Sequence, residues 1–347
     1  MLIKMKNATR EDKLEVRKRL PGEELEIIPF GQHEIIIAKL DRKRDEYSRD
    51  LQEQLSSAPA VEEVITISEP YQLTSRKLKP EGSVVDVDGV KVGDETPAVM
   101  AGPCSVENRE QLLQTAEAVK KAGAEILRGG AFKPRTSPYS FQGLGEKGLE
   151  LLQLARKKTG LKIVTELMDV EHRDLVAEYT DIIQIGSRNM KNYSLLKSIG
   201  KIDKPVMLKR GMASPVKDWL LAAEYVMSQG NHRVMLCERG IKTFGEDTRY
   251  TMDLSSIPLV KEKSHLPVIA DPSHGTGRWE LVIPMARAAV ACGADGLLVE
   301  VHPEPKKALS DGPQSLKPEK FARMMKEIRQ LNELDKMDDI LREAASF

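Results

Sequence analysis

The run Ala124-Glu125-Ile126-Leu127-Arg128-Gly129-Gly130-Ala131-Phe132-Lys133-Pro134-Arg135-Thr136-Ser137-Pro138 decides how the chain is read. A short apolar segment ends at Arg128 and passes into a loop with two more cations, two hydroxyls and two prolines. Proline fixes φ and lowers the disorder a loop must lose on ordering. Fixed cations beside hydroxyl donors suit a phosphate, because guanidinium donates two parallel hydrogen bonds. Taken singly, a solvated turn has the same composition. That alternative weakens because the same sequence of apolar run, then charge, recurs along the chain.

The recurring runs are Ala98–Ala101, Ala124–Leu127, Lys162–Thr165, Ile182–Ile185, Val206–Lys209, Val234–Cys237, Val268–Ala270 and Gly296–Val299. Nearly all are continuous rather than alternating, as strands buried on both faces should be. Helical patterns lie between them, at Glu107–Lys121, Gly148–Lys158, Pro215–Ser228 and Arg278–Ala291. Eight βα units over roughly 250 residues indicate a (β/α)8 TIM barrel. A doubly wound sheet competes, but it has no need of an eighth strand or of a hairpin plug.

Such a hairpin stands just upstream. Val84–Val87 and Val90–Val92 flank Asp88-Gly89, a strong short-turn signal. It lies within a linker, residues 69–96, carrying Pro70, Pro80 and Gly82, and is expected to close one end of the barrel that occupies residues 97–347. Residues 1–68 read as a small separate unit. Strands at Leu2–Met5, Leu25–Ile28, Glu34–Ala38 and Val61–Ile67 alternate with two helices. The first helix is capped by Asn7 or Thr9 and ended by Pro21-Gly22, and the second runs from Asp41 to Ser56. A turn at Phe30-Gly31-Gln32 joins the middle strands. The order β-α-β-β-α-β is the ferredoxin-like α+β pattern. It holds no cluster of His, Cys or acids suited to chemistry, which leaves assembly or ligand sensing as its work.

Composition narrows the function classes. The 347 residues are enough to bury a core without staples. Lys+Arg and Asp+Glu both count 53, so no net field argues for nucleic acid or a membrane surface. Three widely spaced cysteines, Cys104, Cys237 and Cys292, with no signal peptide and no spanning apolar run, indicate a reducing, cytoplasmic protein. Cys292, among small residues, reads as a buried filler, and Cys237 as packing.

Active sites of barrels collect at the C-terminal ends of the strands. Residues there are Cys104, Arg128, Glu166, Arg188, Lys209, Arg239, His274 and Glu300, with Asp311 in the last loop. Cys104, His274, Glu300 and Asp311 have the donors of a mixed S/N/O metal site, with Asp271 and His302 as substitutes, although His302, past the strand end beside Pro303, reads first as a structural or supporting group. No spacing motif selects among them, and such a set does not choose among Mn²⁺, Fe²⁺, Co²⁺, Zn²⁺ and Cu²⁺. Arg128, Lys133, Arg135, Arg188, Lys209 and Arg239 are too many cations for one phosphate. At ~6 Å each pair would repel by about 3 kcal/mol with an effective dielectric near 20. Glu166, Glu238 and Glu246 are expected to offset part of this, and two multiply charged anionic substrates the rest.

These residues also carry a resemblance. The motifs are Ala101-Gly102-Pro103-Cys104-Ser105, Leu127 to Ser137, Gln184-Ile185-Gly186-Ser187-Arg188-Asn189, Leu208-Lys209-Arg210-Gly211 and Leu236-Cys237-Glu238-Arg239-Gly240. Asp271-Pro272-Ser273-His274, Val299 to Pro305 and Ser310-Asp311-Gly312 complete the set. From about residue 70 onward the chain resembles the 3-deoxy-D-arabino-heptulosonate 7-phosphate (DAHP) synthases, which open the shikimate pathway. Its first 68 residues are similar to the regulatory domain of the branch inhibited by tyrosine or phenylalanine. The related 3-deoxy-D-manno-octulosonate 8-phosphate synthases usually have Lys-Ala-Asn-Arg-Ser where this chain has Lys133-Pro134-Arg135-Thr136, so the loop favours erythrose 4-phosphate over arabinose 5-phosphate.

The resemblance implies a metal on Cys104, His274, Glu300 and Asp311. It also implies that Arg188 and Arg239 hold the phosphate of phosphoenolpyruvate, with Arg128, Lys133 and Lys209 on its carboxylate and remaining oxygens. Arg135 and Thr136 would take the phosphate of erythrose 4-phosphate, and Glu166 with Lys209 would position the attacking water. An aromatic amino acid effector and a homotetramer follow from the same likeness.

Overall fold

The structure, a computed structural model, describes residues 1–20, 24–30, 33–39 and 49–345. The expected helix stop at Pro21-Gly22, the turn at Gly31-Gln32 and the start of the second helix at 41–48 lie outside the described residues.

The N-terminal unit contains β1 (Leu2–Lys6), α1 (Arg10–Arg19), β2 (Glu24–Phe30), β3 (His33–Lys39), α2 (Arg49–Ser56) and β4 (Val61–Ile65). Thr9 caps α1 by a reciprocal box with Asp12, leaving Asn7 outside the cap. The strands form one antiparallel sheet in the order β2-β3-β1-β4, the ferredoxin-like arrangement. Ile3, Met5, Ile36 and Val64 face Val16 and Leu55 of the two helices in a small core of their own.

The hairpin follows, with β5 (Val85–Val87) and β6 (Val90–Val92). Its turn residues Asp88 and Gly89 have φ of 47° and 93°, the pair of positive values that a type I′ turn requires. Eight parallel strands then close a barrel in chain order. They are β7 (Ala98–Gly102), β8 (Ile126–Arg128), β9 (Lys162–Leu167), β10 (Ile182–Ile185), β11 (Val206–Lys209), β12 (Val234–Glu238), β13 (Val268–Ala270) and β14 (Gly296–Glu300). The helices between them are α3 (Arg109–Ala122), α4 (Glu146–Thr159), α5 (Arg173–Tyr179), α6 (Tyr193–Ile199), α7 (Val216–Met227), α8 (Ser256–Lys263), α9 (Pro272–Thr276) and α10 (Trp279–Ala291), with α11 (Pro318–Ala345) last.

Side chains alternate across a strand with period two, so one residue in two points into the barrel. Met100, Ile126, Val164, Ile182, Met207, Met235, Ile269 and Leu298 form the inner layer, one from each strand. Val85, Val87 and Val92 of the hairpin pack into that same cluster and stopper the N-terminal end. The intervening residues, Val99, Leu127, Ile163, Ile183, Leu208, Leu236, Val268 and Leu297, face outward into a second core shared with the helices. Between the hairpin and the small unit, Gln72, Leu73 and Thr74 donate three backbone N–H groups to Glu224 of α7, which ties the linker to the barrel wall. Among the described residues no helix is long and apolar enough to cross a membrane.

Candidate active site

Two residues beyond the apolar layer, the same inward register reaches Arg128, Glu166, Gln184, Lys209, Asp271 and Glu300. The barrel therefore changes from an apolar plug to a ring of charge within one side-chain layer. Arg128, Lys209 and Glu300 are the last residues of their strands, and Glu166 lies inside β9, so Arg128, Glu166 and Glu300 belong to the sheet and not to the loops beyond the expected runs. Gly186 gives Glu166 room, since a Cβ there would collide with its carboxylate.

Loops bring Cys104, His274 and Asp311 over this ring. Candidate ligand atoms of Cys104, His274, Glu300 and Asp311 all lie within 4.8 Å of one another. Cys104 Sγ stands 3.3 Å from Asp311 Oδ2, and His274 Nε2 stands 3.4 Å from Glu300 Oε1. Asp311 is held at φ 50°, an uncommon backbone state outside glycine that recurs where a site fixes its geometry. His274 Nδ1 lies 2.7 Å from Asp271 Oδ2, which also accepts from Lys209 Nζ at 2.6 Å. The pair is close but not aligned as a hydrogen bond, so Asp271 acts on the imidazole through its charge, and Nε2 faces the cluster as behind a metal-binding histidine.

Burial pushes the Cys104 thiol up to about 12, with Glu300 adding to the rise. Burial also lowers His274, against the pull of Asp271. For Asp271 and Asp311 burial acts to raise the carboxyl, but neighbouring cations outweigh it. His274 and Lys209 hold Asp271 well below the usual range, and His274 and Arg249 bring Asp311 down to about 2. An imidazole whose basicity burial lowers, two carboxylates of which at least one stays ionised to low pH, and a thiol that a cation would deprotonate fit a divalent metal.

A cavity of about 300 Å³ opens beside these groups, and all six expected cations, Arg128, Lys133, Arg135, Arg188, Lys209 and Arg239, line it with Glu166, Thr136 and His274. Three are already engaged by the protein. Arg128 Nη1 donates to Glu300 Oε1 at 3.0 Å, Lys133 Nζ lies 3.0 Å from Cys104 Sγ, and Lys209 bonds Asp271. Arg128 also keeps a buried Nε without a partner, but Arg239 has no ion pair at all among the described residues. It is 6% exposed, its Nε and Nη1 are buried with no hydrogen-bond partner, and its guanidinium stacks 4.2 Å from the Tyr250 ring centre. A buried cation with idle donors at a cavity wall calls for an anion there. Arg135 and Arg188 have no ion pair among the described residues and stand nearer the mouth.

Several expectations need correction. Glu238 and Glu246 do not line the cavity. Glu238, one residue past the inward Cys237, faces the outer wall and accepts from Arg210 Nη1 at 2.8 Å. The substitutes Asp271 and His302 do not join the four clustered ligands; His302 Nε2 faces Glu107 at 3.5 Å, in keeping with a supporting role. Cys292 is half-buried and not fully enclosed, whereas Cys237 is packed in the barrel interior. Sequence reasoning missed Gln184, Arg249 and Gln314. Period two along β10 would have found Gln184, but nothing in the local sequence marks the other two.

Residues 69–336 match the DAHP synthetase I family, and over 279 residues the chain is 52% identical to phospho-2-dehydro-3-deoxyheptonate aldolase of Thermotoga maritima, covering 80% of this chain and 82% of that one. The chain belongs to the DAHP synthetase I family. A crystal structure of the Thermotoga maritima DAHP synthase, 45% identical, covers 96% of this chain and 97% of that one with a TM-score of 0.76. A truncated form of the same enzyme covers 76% and 97% with a TM-score of 0.72. The 2-dehydro-3-deoxyphosphooctonate aldolase of Syntrophotalea carbinolica is more distant, 35% identical over 72% of this chain and 98% of its own. DAHP synthases depend on a metal in general, and the clustered thiol, imidazole and carboxylates have the donors for one.

Proposed function

We propose that the chain condenses phosphoenolpyruvate with erythrose 4-phosphate and water, releasing DAHP and inorganic phosphate. The observation that carries this is the single cavity in which Arg239 has idle donors next to the cluster of Cys104, His274, Glu300 and Asp311. Arg188 and Arg239 hold the enol phosphate, and Arg128, Lys133 and Lys209 its carboxylate side. Arg135 and Thr136, on the proline-stiffened loop, take the phosphate of the aldose. A divalent ion on the four ligands would supply Lewis-acid polarisation of the aldehyde.

Carbon 3 of the enol phosphate attacks the aldehyde carbon, forming the new C–C bond and leaving cationic character at carbon 2. Lys133, which lines the cavity, gives a proton to the developing alkoxide in this scheme. Glu166 with Lys209 positions the water that adds at carbon 2 and accepts its proton. The hemiketal phosphate then collapses by C–O cleavage, the carbonyl forms, and phosphate leaves. Holding both substrates in line supplies much of the rate enhancement.

Residues 1–68 form the regulatory unit, 69–96 the linker and plug, and 97–347 the catalytic barrel. An aromatic amino acid at the first unit inhibits the third. Direct contact supports this, because the Phe30 ring packs 4.6 Å from His232 and 6.4 Å from His265 of the barrel. A cytoplasmic homotetramer belongs to the same proposal, with sedimentation as its check.

The deciding experiment assays phosphate release from phosphoenolpyruvate with erythrose 4-phosphate or arabinose 5-phosphate, with and without EDTA, and with tyrosine or phenylalanine. Turnover with the four-carbon aldose only, lost to EDTA, is expected. Preference for arabinose 5-phosphate would give the function to the octulosonate chemistry instead. Deleting residues 1–68 should leave turnover and remove inhibition; retained inhibition would place the effector elsewhere.

A further inference from the structure

Arg249 lies on the loop between β12 and α8, away from every strand end, and its position is unusual. Its Nη1 donates to Asp311 Oδ1 at 3.1 Å and to Gln314 Oε1 at 3.0 Å. Gln314 Nε2 in turn donates to Glu300 Oε2 at 2.8 Å. One guanidinium nitrogen therefore touches one clustered ligand directly and a second through a single buried amide. The same side chain is 38% exposed and forms part of the cavity wall beside Arg188 and Arg239. Tyr250 stands between two of these arginines, its ring centre 4.2 Å from Arg239 and 5.7 Å from Arg249.

An exposed Arg–Asp pair of this length is worth ~0–1 kcal/mol to stability, so the contact has little structural purpose by itself. Its placement between a ligand set and an anion pocket gives it another. The geometry points to Arg249 as the group that couples an anion in the cavity to the affinity of the metal cluster. An entering phosphate competes with Asp311 for the guanidinium. Asp311 is then less neutralised and becomes a stronger donor to a cation. By linkage, a cation on Asp311 frees Arg249 for the anion to the same extent. Arg249 is a positioning residue here, and the anion itself is held by Arg188 and Arg239. The inference rests on the metal reading proposed above but not on turnover.

The test uses the full chain and no catalysis. Co²⁺ is titrated with and without saturating inorganic phosphate, following the thiolate-to-metal absorbance of Cys104. For the wild type, phosphate is expected to tighten Co²⁺ about 5-fold or more, within the usual range of coupling between sites. In Arg249→Gln, direct attraction between anion and ion survives, so the factor should drop about threefold while phosphate still binds. Arg249→Lys should recover part of it, since the charge remains but the fork does not. An unchanged factor in Arg249→Gln would overturn the proposal. So would a variant that binds no phosphate, because Arg249 would then be the anion's main hold. A protein that shows the coupling yet makes no DAHP would refute the proposed reaction and leave this inference standing.

Discussion

The two ends of the barrel are built from the same eight strands in the same inward register, and they have opposite characters. At the N-terminal end Met100, Ile126, Met207 and Leu298 meet the valines of a hairpin, and that end is closed. One layer higher the inward positions are Arg128, Glu166, Lys209, Asp271 and Glu300, and a cavity opens over them. The backbone does not distinguish the layers; side-chain chemistry does. Stability and reactivity can therefore be altered separately, and substitutions at each end should be felt in different measurements.

The largest effect belongs to the open end. Cys104→Ala removes the only sulfur among the four clustered ligands and should abolish metal-dependent turnover, with the thermal midpoint nearly unchanged. Full activity after metal titration would remove Cys104 from the ligand set.

The closed end should respond to pH. His265 sits just before β13, accepting from Ser83 Oγ at Nδ1 (2.8 Å) and donating from Nε2 to Leu73 O (2.7 Å). Burial lowers it from 6.5 to about 4. The unfolded chain thus takes up a proton below pH 6.5 that the folded chain refuses until about 4. Stability from this group is complete above pH 6.5 and is lost as pH falls through that window, by about 3 kcal/mol in all. Urea unfolding of wild type and His265→Gln at pH 7 and 4.5 reads it. Equal pH slopes in the two proteins would mean the ring is protonated at no cost.

Next in size, Asp271→Asn keeps the shape but loses the charge that orients His274 and meets Lys209. Metal affinity should fall about 10–100-fold, the usual penalty behind a ligating histidine. Unchanged Co²⁺ affinity would make Asp271 a partner of Lys209 alone.

The contrast between the ends also explains what could be read from the chain. The eight strands were legible because nearly all are continuous apolar runs, buried on both faces. Convergence of strand ends brought the candidate ligands and the six cations to one rim, but the choice of Cys104, His274, Glu300 and Asp311 over Asp271 and His302 came from the resemblance to the DAHP synthases. Glu238 misled because it was counted with the acids near the cations on sequence adjacency alone: one residue past an inward Cys237, it must face outward. Gln314 and Arg249 sit in loops with no periodicity, so only the folded chain brings them to Glu300 and Asp311. The helices α5, α6 and α8 have 7 or 8 residues, barely two turns, too few for a 3.6-residue pattern to stand out.

The smallest expected effect tests the independence of the ends directly. Val92 is fully buried in the cluster that joins the hairpin to the inner layer. Val92→Ala removes two methyl groups from a cluster of side chains anchored on the closed barrel and the hairpin, so the void can close only in part. The cost should be about 1.5 kcal/mol, read as a lower urea midpoint at constant slope. Turnover at 25 °C should not change, because the layer of Arg128, Lys209 and Glu300 is fixed by its own hydrogen bonds to Pro103, Asp271 and Gln314. A fall in kcat with the midpoint preserved would show the plug setting the geometry of the mouth, and the barrel would have to be treated as one mechanical unit.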